Sequence, residues 1–327
     1  MADLWIMLGF VIKLVLFCLI VLFLVFSLYV YYMHYKLSHI EGPPRGNFFL
    51  GNLLEIRRRR LVDGNNIHQT LADWSIEYRP MFVIWFFHVP LIVISDADIA
   101  RQVLVVKNLP KDHFGYKRFQ YVYGQRFLGS GLFSDLNRLT WETKRRTFTP
   151  LFHRNKLFDG FPTLNSCCDN FLSRLEKYAD AKTEISLADE FLLVTLETIL
   201  KWSCNLEMNN DDRLVFEKNF KSALHGISLS FQSPVTAYMP WSNLRRRCVE
   251  GARLTRVTAK SVVEMRQKDI DAGKEIPEDA LSYVLKLKEA LPNCDIEDLM
   301  DMVVTVVFGG KILIMSFCLA RSKTISE

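Results

Sequence analysis

Trp141 and Arg145 stand four residues apart in the run Trp141-Glu-Thr-Lys-Arg145-Arg146. On a helix that spacing places both on one face. An indole N–H beside a guanidinium suits an anionic oxygen ligand such as a carboxylate. A surface Trp next to an Arg also serves as a purely structural pair, and these residues alone leave both readings open. A second feature is Phe308-Gly309-Gly310, inside a strongly apolar stretch. Each glycine costs a helix about 1 kcal/mol relative to alanine. Two in succession imply close packing, room for a ligand, or simply a helix end, where glycine is favoured.

Other chemistry-bearing patterns fail. The seven cysteines are Cys18, Cys167, Cys168, Cys204, Cys248, Cys294 and Cys318, with no C-x-x-C among them. Their odd number and scatter argue for free thiols in a reducing compartment rather than zinc or disulfides. The seven histidines form no H-x-x-x-H pair, so no local metal motif is expected. There is no G-x-S-x-G, G-x-G-x-x-G or P-loop. Gly129-Ser-Gly131 is too short to cradle a phosphate, and no carboxylates form a clear acid/base pair.

Composition limits the class of molecule. Half of the 327 residues are hydrophobic, and the formal charge is only +5. That excludes disorder, and the length excludes a small disulfide-stapled scaffold. Nucleic acid is not an expected partner, because no part of the chain is basic enough.

The elements that must position these residues follow an anchor. Leu14 to Met33 is twenty residues without a charge. At about 1.5 Å per residue it covers roughly 30 Å, the thickness of a bilayer core. Tyr29, Tyr31, Tyr32 and Tyr35 read as an interfacial belt. Asp3 precedes the span, whereas Lys36, Arg45 and Arg57 to Arg60 follow it. The positive-inside rule then puts the large C-terminal part in the cytoplasm. The arginine run could touch anionic lipid headgroups or be a solvated turn. Pro43-Pro44 makes the next segment stiff and extended.

Met81 to Phe87 and Leu91 to Ile94 read as a hairpin, and Ser95-Asp-Ala-Asp98 as the opening of a helix in which the Ser95 hydroxyl serves the Asp98 amide. Residues 108–135, rich in glycine and aromatics, read mostly as loop. Helices are expected over Thr140 to Thr149, and over Asn155 to Ala179 with a kink at Pro162. Another runs from a Ser186 cap to about Cys204. Further ones are expected over Asp211 to His225, Ser242 to Ala272, Pro277 to Ala290, and from Asp295 through Val307. No internal repeat is present. One small sheet and many helices predict a mainly α fold.

The pieces run in order: anchor, Pro-Pro elbow, hairpin, aromatic-glycine loop, W-x-x-x-R helix, helical middle, and an apolar helix reaching Gly-Gly. That order resembles a microsomal cytochrome P-450, a heme-thiolate monooxygenase. Within the family it looks most like the cholesterol 24-hydroxylase branch. The residues carrying that likeness are the Ile40 to Leu53 elbow and Arg126-Phe-Leu-Gly-Ser-Gly-Leu132. Trp141 to Arg146 and Asp279-Ala-Leu-Ser282 add to it.

The resemblance covers about residues 36–310. It implies a transmembrane anchor at 4–33, an elbow at 34–52, a partial P-450 domain at 53–310 and a divergent tail at 311–327. The fold implied is mainly α, the N-terminal part of the P-450 fold with a small β-sheet behind one transmembrane helix. Trp141 and Arg145 match the pair that binds heme propionate. Phe119, Tyr123 and Phe127 match a loop roofing the substrate pocket, and Phe308, Gly309 and Gly310 the helix passing over the heme. The function implied is hydroxylation of an apolar, sterol-like substrate with O2 and NADPH-derived electrons. The partners implied are membrane lipid and an NADPH-cytochrome reductase. The location implied is the endoplasmic reticulum membrane, single-pass, with a cytoplasmic globular part.

The departures shape the expectation for this chain. Where the family has an acid followed by Thr, which serve proton delivery, Ile312 and Leu313 align. The heme-Cys loop is not found, and Cys318 lacks its surroundings. Glu142/Arg145 and Glu250/Arg253 have E-x-x-R spacing in the wrong place. The expectation is a truncated, inactive form with no catalytic residue, no axial metal ligand and impaired heme binding. The alternative is a membrane-anchored, non-enzymatic protein that holds a sterol or competes for a redox partner.

Overall fold

A computed structural model describes residues 2–180, 184–232, 239 and 241–325. It divides into two compact units, residues 1–109 and 110–327.

In the first unit, helix α1 (Ala2–Lys36) contains Gly9–Lys36, which is long and apolar enough to cross a membrane. Most of its described Leu, Val and Phe side chains are exposed, Val30 being the buried exception. Beyond it come α2 (Leu53–Val62) and α3 (Ile67–Glu77). Asn66 and Gln69 form a reciprocal capping box at the start of α3, a local signal that the expected element list missed. The arginine run lies on α2, where Arg58 and Arg59 pair with Glu55.

The expected hairpin is present as β1 (Met81–Phe86) and β2 (Val89–Ile94), antiparallel with Met81 opposite Ile94. Phe82, Ile84 and Trp74 form its core. The elbow is pinned to this hairpin through buried Asn52. Its Nδ2 donates to the carbonyls of Pro43 (3.3 Å) and Pro44 (3.1 Å), and its Oδ1 accepts from Trp85 N at 2.8 Å. The cap of the next helix, α4 (Ala97–Arg101), is Asp96 rather than Ser95. Asp96 Oδ1 takes the amides of Asp98 and Ile99, while the Ser95 hydroxyl is drawn away to Pro80 O. A π-helical turn, Gln102–Val106, follows.

The second unit corrects the loop expected over 108–135. Asp112 caps a helix, α5 (His113–Gln120), accepting from Gly115 N at 2.6 Å. A short ladder follows, β3 (Tyr121–Val122) and β4 (Gln125–Arg126), turning through Tyr123 and Gly124 with positive φ. The glycines obscured a helix whose start is set by its cap. Next comes α6 (Arg138–Phe148), then a 3-10 turn.

The long helix expected to kink at Pro162 is two helices, α7 (Arg154–Asp159) and α8 (Phe161–Glu176). The break falls at Gly160, and Pro162 starts the second helix, the position where a missing N–H costs nothing. Helix α9 (Leu187–Cys204) opens on the Ser186 cap and closes on left-handed Asn205. The remainder is α10 (Asn210–Gln232), α11 (Asn243–Asp271), α12 (Ala280–Leu285), α13 (Leu287–Ala290) and α14 (Ile296–Ile325).

Helix α14 runs through Gly309-Gly310, so the pair is not a helix end. Its inner face packs Leu299, Met302, Val303 and Val304 into a core with Leu196 of α9 and Phe220 of α10. A Cβ on Gly310 would lie 2.3 Å from Ile199 Cδ1, so the absent side chain lets α14 approach α9.

Candidate functional site

The site is assembled on α6. Asn137 caps that helix, and its own amide donates to Asp135 Oδ1 at 2.9 Å. Lys144, inside the W-x-x-x-R run, points inward. Its Nζ meets Asp135 Oδ2 at 2.7 Å and Ser130 O at 2.6 Å, and both ion-pair partners are buried. That buried pair bolts α6 to the 130–135 segment, and Trp141, one turn before Lys144, shares a face with Arg145.

Arg145 Cζ sits 5.3 Å from the Trp141 ring centroid. Lys111 Nζ sits 5.2 Å from the same ring and donates to Phe133 O at 2.7 Å and Leu132 O at 3.3 Å. Two cations thus flank one indole, each in cation–π range. Burial pushes the Lys111 ammonium down to about 8, helped by Lys144 and Arg145 and opposed by Asp135. Among the described residues, no carboxylate pairs with Arg145 and no acceptor meets the Trp141 N–H. Glu142, the nearest acid in sequence, is taken by Arg138 at 2.8 Å. The result is an ammonium, a guanidinium and an indole N–H with anion-binding capacity unused.

An aromatic group stands on the same unit. Phe119 of α5 lies 6.3 Å from Phe308 of α14 and 5.2 Å from Phe133, centroid to centroid. Phe133 is 5.3 Å from Phe308, and Phe231 of α10 is 5.8 Å from Phe119. Of the pocket residues read from the sequence, Phe119 and Phe308 come together here. Phe127 is fully buried and packs 5.6 Å from Phe220 in the core. Tyr123 lies under Arg245, 5.8 Å from its guanidinium. Gly309 faces open space, whereas Gly310 packs on Ile199. The side chains of Ile312, Leu313 and Cys318 lie outside the described ones.

The Gly-Ser-Gly turn receives α14. Asp301, fully buried, accepts from Ser130 N at 2.5 Å and from Arg126 at 3.1 and 2.5 Å. Arg256 of α11 adds a contact of 2.6 Å. A Cβ at Gly129 or Gly131 would strike Asp301 or Thr305, so both glycines serve a close approach. This clamp fixes α14 against the loop carrying Phe133. Lys111, Phe133, Phe231 and the clamp escaped the sequence reading, since each depends on residues distant in the chain. Only Lys111 had a signal, its place just before the Asp112 cap.

Comparison with known proteins decides the family. The profile of the family described as Cytochrome P-450 matches residues 41–311. The chain belongs to the cytochrome P-450 family. Cytochrome P-450 734A5 of Oryza sativa subsp. japonica is 28% identical over 224 residues, 63% of this chain and 40% of that one. Thromboxane-A synthase of Sus scrofa is 24% identical over 268 residues, 78% of this chain and 47% of that one. The solved structure of retinoic acid-bound cyanobacterial CYP120A1 aligns with a TM-score of 0.62 at 16% identity, covering 88% of this chain and 61% of that one. This P-450 chain therefore spans less than half the length of those two curated relatives.

The family implies heme, and the donor set fits one side of it. Lys111, Trp141 and Arg145 are the groups that carboxylates of a propionate would take. Among the described residues, no cluster of three or more His, Cys, Asp or Glu could hold a metal ion.

Proposed function

We propose that Lys111, Trp141 and Arg145 bind the heme propionates, and that Phe119, Phe133 and Phe308 wall an apolar substrate pocket. The single observation carrying this is the pair of cations flanking Trp141 with no carboxylate on Arg145. When bound, heme supplies the oxygen chemistry of the family. The chain's own residues do the rest. Lys111 and Arg145 fix the ligand's acidic edge, the phenylalanines exclude water, and Gly309 leaves space beside α14.

The reaction class we assign is hydroxylation of an apolar, sterol-like substrate with NADPH-derived electrons from a reductase. The sterol assignment rests on the cholesterol 24-hydroxylase-like motifs and the aromatic wall. Residues 4–33 are assigned as the anchor, in the endoplasmic reticulum membrane, with lipid as a partner and the globular part cytoplasmic. With Ile312 and Leu313 at the proton-delivery positions, the chain as it stands is assigned no turnover.

The test is heme titration of the 327-residue chain in detergent, followed at the Soret band. Saturable uptake, weakened about tenfold by Arg145→Ala or Lys111→Ala, is expected, the size of one charge-assisted contact. Equal uptake by the double variant overturns the assignment. A thiolate-type carbon monoxide band would overturn the inactivity and direct attention to Cys318. Saturable sterol binding without heme would favour the membrane-anchored, non-enzymatic alternative.

A further inference from the structure

A cavity of about 370 Å³ lies in the second unit among α8, α9, the 205–209 connection and the start of α10. It shares no residue with the Lys111–Trp141–Arg145 cluster. Its centre is Glu197, buried on α9. Arg213 Nη1 reaches Glu197 at 2.6 Å, Asn170 Nδ2 at 2.9 Å and Arg174 Nη1 at 3.4 Å. Arg174 also uses its Nε on Glu190 at 3.1 Å. Its remaining nitrogen, Nη2, is buried and has no acceptor. A buried donor left unmade is unfavourable, so an acceptor reaching Nη2 would be stabilised there.

Charge points the same way. Arg174, Lys177, Lys201 and Arg213 line the cavity. Two carboxylates, Glu197 and Glu207, share that lining, while Glu190, a partner of Arg174, lies outside it. The excess falls on Lys177, which has no carboxylate partner among the described residues. Glu207 is mostly exposed, so its pairing with Lys201 at 3.1 Å is a weak surface contact that a ligand can replace. Leu200, Leu206 and Met208 complete the wall with apolar surface.

We propose that this cavity binds a phosphate-type oxyanion, held by Arg174 Nη2 and Lys177 and covered by Lys201. The volume exceeds that of a bare phosphate, and the apolar wall suits a small organic body, so a phosphate monoester is the ligand class. Glu197 acts as a positioning residue, since it holds Arg174 and Arg213 in place without touching the ligand.

The probe is inorganic phosphate, added to the full chain in detergent at ionic strength held constant with sodium chloride. The expected result is a saturable rise in Tm and a one-to-one calorimetric isotherm. Lys177→Ala should weaken that binding at least fivefold, with its own Tm in chloride unchanged, because Lys177 is exposed at the end of α8. Lys201→Gln, which leaves Glu197 its two guanidiniums, should weaken it as well. No saturable phosphate effect, an effect that chloride alone reproduces, or undiminished binding in both variants overturns the proposal.

Discussion

Lys111 is half-buried between two backbone carbonyls and the rings of Trp141 and Tyr116, a poor place for an ammonium. Its folded value of about 8 lies below the ordinary 10.5, so the unfolded chain holds that proton more tightly. Stability from this group is fully present above about 10.5 and is lost as the pH falls through about 8. Nζ titration by NMR should therefore show a midpoint near 8 in the heme-free chain and a higher one once heme is bound. A midpoint that stays put with heme would separate Lys111 from the propionates. Asp301 poses the opposite case, a buried carboxylate satisfied by two guanidiniums and an amide. Asp301→Asn removes the buried carboxylate from both arginines, leaving them only the partly exposed Glu297 and Asp298, and a loss of up to about 3–5 kcal/mol is expected in chemical denaturation. At this scale the sequence exposed Trp141 and Arg145, because a four-residue spacing is a local geometric fact. It hid Lys111, whose partner lies thirty residues on.

The two adjacent glycines of α14 differ in what surrounds them. A methyl at Gly309 meets nothing within 4 Å, while one at Gly310 would be 2.3 Å from Ile199 Cδ1. Gly309→Ala should raise Tm, through a helix-propensity gain of up to about 1 kcal/mol. Gly310→Ala should lower it, by about 1–3 kcal/mol of overpacking against α9. Equal shifts in thermal melts of the two variants would refute the packing difference. The Gly309 variant also places a methyl in the proposed ligand space, so altered heme or substrate binding at unchanged stability would mark that space as functional. The hairpin and the Ser186 cap were legible because a few neighbouring residues determine them. Helix α5 was not, since Gly115 and its aromatics resemble a loop until Asp112 is recognised as its cap. The α7/α8 break was misplaced for a similar reason, with Gly160 closing one helix and Pro162 opening the next.

For the whole chain, the span Gly9–Lys36 is long and apolar enough to cross a membrane, and the proposed anchor rests on it. Leu22→Arg with Val25→Arg introduces two central charges, each costing about 2.5–3.5 kcal/mol for insertion. The double variant should move from the membrane pellet to the soluble or aggregated fraction, and retention in the pellet would remove the anchor from the proposal. The long apolar N-terminal helix, the α-rich class and the W-x-x-x-R face were determined by the sequence itself. Each depends on composition or on spacing within a turn or two, and local sterics and hydrophobicity enforce such features regardless of the rest. Tertiary structure alone decided which side chains meet. It brought Lys111 to Trp141, and Arg126 and Arg256 to Asp301, the first of these across 175 positions. It also set Arg174 beside Glu197 around a cavity. No periodicity records such encounters, because they follow from how α6, α8, α9, α11 and α14 pack once their apolar faces are buried together.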